Sequence, residues 1–192
     1  VRVIGGTARG RRLAAPRGER VRPTADRVKE ALFSILTSLL GNLEGLRVLD
    51  IFAGTGNLGI EALSRGCREA VFVDSHRESV AVIRQNLTRL GFTDQGQVML
   101  MDATSAIQSL AGNTAPFQII FLDPPYRLGL AEKVLTQLAT APVVSDETII
   151  VAESDPGEHL PDSSGPLFQF DRRVYGDTAL TFFQKGTADD HA

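Results

Sequence analysis

Asp123-Pro124-Pro125-Tyr126 follows directly on the apolar run Phe117 to Leu122, and it suits chemistry on a planar amino group. The lone pair of an exocyclic nucleobase amine is delocalised into its ring, so the nitrogen is a poor nucleophile. Acceptors that bind its two N–H groups return electron density to nitrogen. Asp123 and the backbone carbonyl of Pro124 are the natural acceptors. Prolines hold the chain rigid after a strand and bring no N–H to compete, while Tyr126 offers a flat face for a base drawn from its stack. The tetrapeptide reads as an amine clamp, with Asp123, Pro124, Pro125 and Tyr126 as the catalytic set. The plain alternative is a strand that ends in a proline-rich turn.

A methyl donor is suggested by the segment Asp50-Ile51-Phe52-Ala53-Gly54-Thr55-Gly56-Asn57-Leu58-Gly59. Its glycines allow a tight turn and close backbone approach to a ligand at a helix N-terminus. Asp74 lies 20 residues after Gly54, the spacing of a carboxylate that binds ribose hydroxyls. Gly54, Gly56 and Gly59 also satisfy a dinucleotide fingerprint, which keeps a nicotinamide or flavin enzyme in play. Asp50 weighs against it: a carboxylate at the mouth of the loop repels a pyrophosphate and attracts an amino-acid ammonium. S-adenosylmethionine carries that ammonium, a ribose for Asp74, a sulfonium charge, and an adenine amine that Asp102, next to Ala103, could accept. The expected cofactor set is Asp50, Phe52, Ala53, Gly54, Thr55, Gly56, Asp74, Asp102 and Ala103. Each piece has a structural alternative, such as Asp102 serving as a helix N-cap.

The elements that must position these groups alternate from Leu46 onward. Strands are expected at Arg47 to Ile51, Ala70 to Asp74, Gln97 to Met101, Phe117 to Asp123 and Thr148 to Glu153, with helices between. The clearest helix is Arg77 to Leu90, with Ser75 and Glu78 as a capping box, Val80, Ile83, Leu87 and Leu90 as an apolar stripe, and Gly91 as its stop. After a loop from Asp155 to Pro166, Leu167 to Tyr175 and Ala179 to Gln184 read as a hairpin turning at Gly176-Asp177. Upstream, Thr24 to Leu40 reads as a helix with Val28, Leu32, Ile35, Leu36 and Leu39 on one face. The expected fold class is α/β, Rossmann-like, with about seven strands, mostly parallel, and an antiparallel C-terminal edge. Residues 1–40 form a basic arm and a helix that packs on the main domain, 41–186 form that domain, and 187–192 form a tail.

Composition bounds the rest. The 192 residues are 43% hydrophobic, enough for one ordinary core. Cys67 is the single cysteine, which excludes an internal disulfide and fits a reducing cytoplasm. Its expected role is small apolar filler. His76, His159 and His191 share no ligand spacing with each other or with Cys67, so no metal is expected. Ala31 to Leu40 is too short to span a bilayer, and no secretory leader is read. The net charge of −3 hides an asymmetry. Val1 to Lys29 carries nine basic residues against Glu19 and Asp26, a net of +7, while the rest carries eleven against twenty-one, a net of −10. A basic arm on an acidic body points to a polyanion bound at one edge. Arg2, Arg9, Arg11, Arg12 and Arg22 are the expected phosphate contacts, and Arg27 could reach the cofactor carboxylate or stand solvated on its helix.

The order and wording of these motifs resemble a class I S-adenosylmethionine-dependent methyltransferase. More narrowly, the chain is similar to the bacterial 16S ribosomal RNA guanine-N2 methyltransferases of the RsmD family. The likeness rests on Arg2-Val3-Ile4-Gly5-Gly6, Arg9-Gly10-Arg11-Arg12-Leu13, Arg22 through Phe33, the Asp50 loop, Glu61-Ala62-Leu63-Ser64-Arg65-Gly66, and Asp123 to Tyr126. Asn57 departs from the small residue expected at its position. The resemblance implies a cytoplasmic, monomeric enzyme that methylates one guanine of 16S ribosomal RNA in a partly assembled small subunit. The residues themselves do not separate guanine N2 from adenine N6. A DNA adenine methyltransferase and a non-catalytic RNA-binding assembly factor remain the alternatives.

Overall fold

The computed structural model describes residues 1–17, 24–125 and 129–186. Its elements run α1 (Thr24–Leu40), β1 (Arg47–Ile51), α2 (Asn57–Ser64), β2 (Glu69–Asp74), α3 (Arg77–Leu90), β3 (Gly96–Leu100), α4 (Ala103–Ala111), β4 (Phe117–Leu122), α5 (Leu130–Leu138), β5 (Val144–Ser154), β6 (Ser163–Ser164), β7 (Leu167–Tyr175) and β8 (Thr178–Lys185). One sheet holds all the described strands in the order β3-β2-β1-β4-β5-β8-β7-β6. The first five are mutually parallel, and β8, β7 and β6 follow antiparallel. The fold is therefore the expected Rossmann-like α/β, with an eighth short strand, β6, in what reads as loop from the sequence. Two serines paired to Leu167 and Phe168 leave no periodicity to detect.

Chain order reverses between β1 and β4, and in an open parallel sheet that reversal leaves a crevice at the carboxyl ends of the strands. Asp50 is the penultimate residue of β1, Asp74 ends β2, and Asp123 follows β4, so the topology itself brings three carboxylates to one rim.

Central strands are apolar because both sheet faces are covered. One layer packs α1, α2, α3 and the N-terminal segment over Val48, Phe72, Ile119 and Phe121. The other packs α4 and α5 over Leu49, Val71, Ile120 and Ile150. Gly59 lets α2 lie close: a Cβ there would stand 2.3 Å from the Phe72 ring. On α1, Val28, Leu32 and Leu36 are buried as expected, but Leu39 is 46% exposed. The stripe is widened instead by Phe33, whose ring meets Phe121 at 5.9 Å, and ends in Leu40 packed against the core.

Helix α3 runs over its expected span and ends at Gly91, yet the Ser75–Glu78 capping box does not form. His76 is the N-cap, and Asp74 Oδ1 takes the His76 N–H at 2.9 Å. Cys67 is buried, and burial pushes its thiol up to about 12. No described helix is long and apolar enough to cross a membrane, and no described His, Cys, Asp or Glu group could hold a metal ion.

The N-terminal segment does not project as an arm. Arg2 and Arg12 form an antiparallel bridge, and Val3, Ala8 and Leu13 are buried in the first core layer. Gly6, at φ +75, has no room for a Cβ, which would lie 1.8 Å from the Ser64 carbonyl oxygen.

Candidate active site

The glycine loop between β1 and α2 is shaped from within. Phe52 adopts φ 63, the only described non-glycine residue with positive φ. A bulky residue held there costs on the order of 1–3 kcal/mol, strain that tends to collect at functional sites. The loop is fixed by Asp74, whose Oδ2 accepts from Gly54 N at 2.9 Å while Oδ1 accepts from His76 N and lies 3.1 Å from His76 Nδ1. A carboxylate has about four lone-pair sites, so Asp74 keeps capacity for a ligand hydroxyl.

Two cavities meet along this loop. The first, about 290 Å³, is lined by Phe52, Asp74, Ser75, Met101, Asp102, Ala103, Leu130 and Lys133 among others. The second, about 460 Å³, is lined by Phe52, Gly54, Asp74, Ser75, His76, Asp123, Pro124, Pro125 and Leu130. Phe52, Asp74, Ser75 and Leu130 wall both, so they form one cleft running from Asp102 to the Asp123-Pro124-Pro125 turn. Asp123 is thus among the residues that line the cleft. Tyr126 lies outside the described residues.

The acids differ in how they are held. Asp102 is the N-cap of α4, its two oxygens accepting from Ser105 N at 2.9 Å and Ser105 Oγ at 2.8 Å. Those bonds hold its carboxyl below the usual range. The N-cap alternative thus describes its own bonds, while the residue still walls the cleft. Asp50 is 1% exposed and accepts from Gly59 N at 2.9 Å. Burial, opposed by that bond and reinforced by Asp74, pushes it up to about 7. It lies beneath the cleft and is absent from both cavity walls, as are Ala53, Thr55 and Gly56. Asp123 is raised well above the ordinary carboxylate value, first by burial of its carboxyl and then by Glu153 and Asp50.

Several contacts escape sequence reasoning. Lys29, counted there among surface cations, is 2% exposed and meets Glu61 Oε2 at 3.2 Å. Its Nζ also donates to Asn57 Oδ1 at 2.7 Å and to the Arg2 carbonyl at 2.5 Å. Asn57, the departure noted in the loop, therefore has a defined partner. Glu61 further accepts from Ile4 N, Gly5 N and Arg65 Nε. Asn86 on α3 bonds the Ala14 backbone and the Thr55 carbonyl, tying the N-terminal segment to the glycine loop. His76, Leu130 and Lys133 line the cleft without a sequence signal that singles them out.

The proposed phosphate contacts divide. Arg9, Arg11 and Arg12 are exposed, with Arg11 Nη2 donating to the Arg89 carbonyl at 3.0 Å. Arg2 pairs with Asp26 at 3.0 Å. With Arg9, Gly10 and Glu30 they line a separate cavity of about 200 Å³. Arg27 is exposed, and Arg22 lies outside the described residues.

A parallel sheet reversing between β1 and β4, a glycine loop, and acids at successive strand ends define the Rossmann-like fold of methyltransferases. The family described as "Conserved hypothetical protein 95" matches residues 1–184. Ribosomal RNA small subunit methyltransferase D of Escherichia coli is 35% identical over 96% of this chain and 90% of its own length, and the Haemophilus influenzae protein of that name is 32% identical over 83% and 81%. Among solved structures, Escherichia coli yhhF superposes with a TM-score of 0.80 at 33% identity, covering 97% of this chain and 98% of its own. A Thermus protein gives 0.80 at 32% identity, covering 95% and 98%. The chain belongs to this family, the RsmD methyltransferases that its motifs resemble.

Proposed function

We propose that this protein transfers the methyl group of S-adenosylmethionine to the exocyclic N2 amine of one guanine in small-subunit ribosomal RNA. One observation carries the reading: Asp123 and Pro124 wall the same cleft as Gly54 and Asp74. The residues fit the donor. Asp74 suits the ribose hydroxyls, and the cavity beside Asp102 and Ala103 suits the adenine; Asp50, buried off the cavity wall, supports the loop through Gly59. S-adenosylmethionine supplies an electrophilic methyl next to a sulfonium. The chain's task is to hold the amine at about 3–3.5 Å from it in line, and positioning of that kind supplies much of the acceleration.

Asp123 and the Pro124 carbonyl accept the two amine hydrogens, and these bonds strengthen as nitrogen gains positive charge. Tyr126 stacks on the extruded base. The exposed arginines of the N-terminal segment contact phosphates, on a partly assembled subunit bound by a monomer of this protein in the cytoplasm.

The test is incubation with radiolabelled S-adenosylmethionine and naked small-subunit RNA, assembled subunits, or duplex DNA, followed by digestion to nucleosides. N2-methylguanosine from RNA or particles is expected. Label in N6-methyladenine of DNA would establish the rival enzyme, and no label on any substrate would leave a binding factor. Asp123→Ala should lower single-turnover rate about 10²–10³-fold, with donor affinity little changed, as for loss of one transition-state acceptor or donor. Near-normal turnover by that variant removes the clamp.

A further inference from the structure

The carboxyl that the clamp depends on has an acidic neighbour. Strands β4 and β5 pair in register through Leu122 and Ala152, so the next residues, Asp123 and Glu153, stand side by side at the strand ends. The Glu153 carboxyl acts directly on Asp123 and favours its protonated form. Two neighbouring carboxyls can hydrogen-bond only with a proton between them. Asp50 approaches Asp123 from β1, and Asp74 and His76 wall the same cavity from the end of β2. Lys133 of α5 lies toward the Asp102 end of the cleft. Among the described residues, the ionisable groups acting on Asp123 are acids.

We infer that Glu153 is a positioning residue for methyl transfer: its carboxyl shares a proton with Asp123, and that proton leaves as the cationic donor enters the cleft. The inference rests on the clamp reading of Asp123. Its physical logic is charge matching. A carboxylate with high proton affinity is a strong acceptor for an amine N–H, but only once ionised. Burial and Glu153 both favour the protonated form. A sulfonium placed beside the pair favours the ionised one, so Asp123 becomes an acceptor when a donor is present to be used.

The step balances. The nitrogen lone pair forms the N–C bond, and the C–S bond breaks with its electron pair going to sulfur, which becomes neutral. The methylated nitrogen carries the positive charge and passes one N–H proton to Asp123. The pair is then protonated again beside a neutral thioether, and that proton leaves to solvent when the next donor binds.

Two measurements on the full chain test this. In the free protein, carbon-13 carboxyl spectra should show Asp123 titrating well above the ordinary range, in steps it shares with Glu153. Glu153→Gln should bring Asp123 down by about one pH unit or more, because a neighbouring like charge is gone. In single-turnover methylation, the same variant should move the acid limb of the pH profile to lower pH by a similar amount. An Asp123 titration and acid limb that Glu153→Gln leaves in place would overturn the pairing. If that variant does not fold, the wild-type spectra decide: a single unshifted Asp123 step overturns the inference, and shared steps support it. Loss of the clamp itself reads differently, since Asp123→Ala would then retain turnover whatever Glu153 does.

Discussion

Two buried polar regions adjoin the glycine loop and α2. In one, Glu61 meets Lys29 at 3.2 Å and Arg65 at 3.0 Å and takes the Ile4 and Gly5 N–H groups, so its charge is answered by the chain. In the other, Asp50, Asp123 and Glu153 gather at the ends of β1, β4 and β5, where Glu153 and Asp50 raise the proton affinity of Asp123. Burial costs both regions. The first meets that cost within the fold and serves to fasten the N-terminal segment and α1 to α2. The second gathers acids around Asp123, the one of the three that walls the cleft, an arrangement more typical of a site that receives a cation than of a fastening.

The sharpest break in this comparison comes from the fastening. Glu61→Gln leaves Lys29 buried without its counter-charge and should destabilise by about 3–5 kcal/mol in chemical denaturation. Lys29→Met combined with Glu61→Leu should recover much of that loss, because an apolar pair leaves no uncompensated charge. If the single variant unfolds at the wild-type midpoint, the ion pair is not what holds the segment down. Asp123→Asn, by contrast, should change stability little at neutral pH while reducing turnover.

An effect of comparable size but opposite kind, spread over pH, is expected at Asp50. Its folded value of about 7 exceeds the unfolded 3.8, so the native state holds the extra proton. Where the native state binds more protons, stability falls as pH rises. Asp50 therefore costs nothing below the unfolded value, costs about 1.4 kcal/mol per pH unit between the two values, and reaches a plateau above about 7. Asp50→Asn removes the charge and can still accept from Gly59. Denaturation midpoints should show the variant gaining on wild type between about pH 4.5 and about pH 7.5. A constant difference across that range would mean that the fold does not raise Asp50.

The contrast also marks where the sequence is legible. Strand β1 matches its expected bounds, and α3 stops at Gly91, because apolar runs and a left-handed glycine act locally. The cleft residues Gly54, Asp74 and Asp123 were legible for the same reason: strand ends in a parallel sheet share one rim. Lys29 was not, since only the docking of α1 against α2 turns a helix lysine inward. Glu153 reads as the end of a strand until the β4–β5 register sets it beside Asp123. Ser75 is not the cap because the helix starts one residue later than its box requires, with His76 as the N-cap and Asp74 accepting the His76 N–H. Charge counting made the first residues an arm, whereas Val3, Ala8 and Leu13 make them part of the core.

That last correction changes how the arginines must be tested. Deleting the segment would remove Val3 and the Glu61 contacts along with the charges, so a loss of RNA binding would say nothing about phosphates. Arg9 and Arg12 are exposed, and single replacements by Gln spare Val3 and Gly6. Each phosphate neutralised on single-stranded RNA contributes a slope of about −0.7 to log affinity against log salt. Arg9→Gln and Arg12→Gln should each flatten that slope by about 0.7 in filter binding to small-subunit RNA, with unfolding midpoints unchanged. A slope equal to that of wild type in both variants would free these two arginines from any phosphate role. These two arginines would then matter to this protein only as part of a segment packed on α1, α2 and α3.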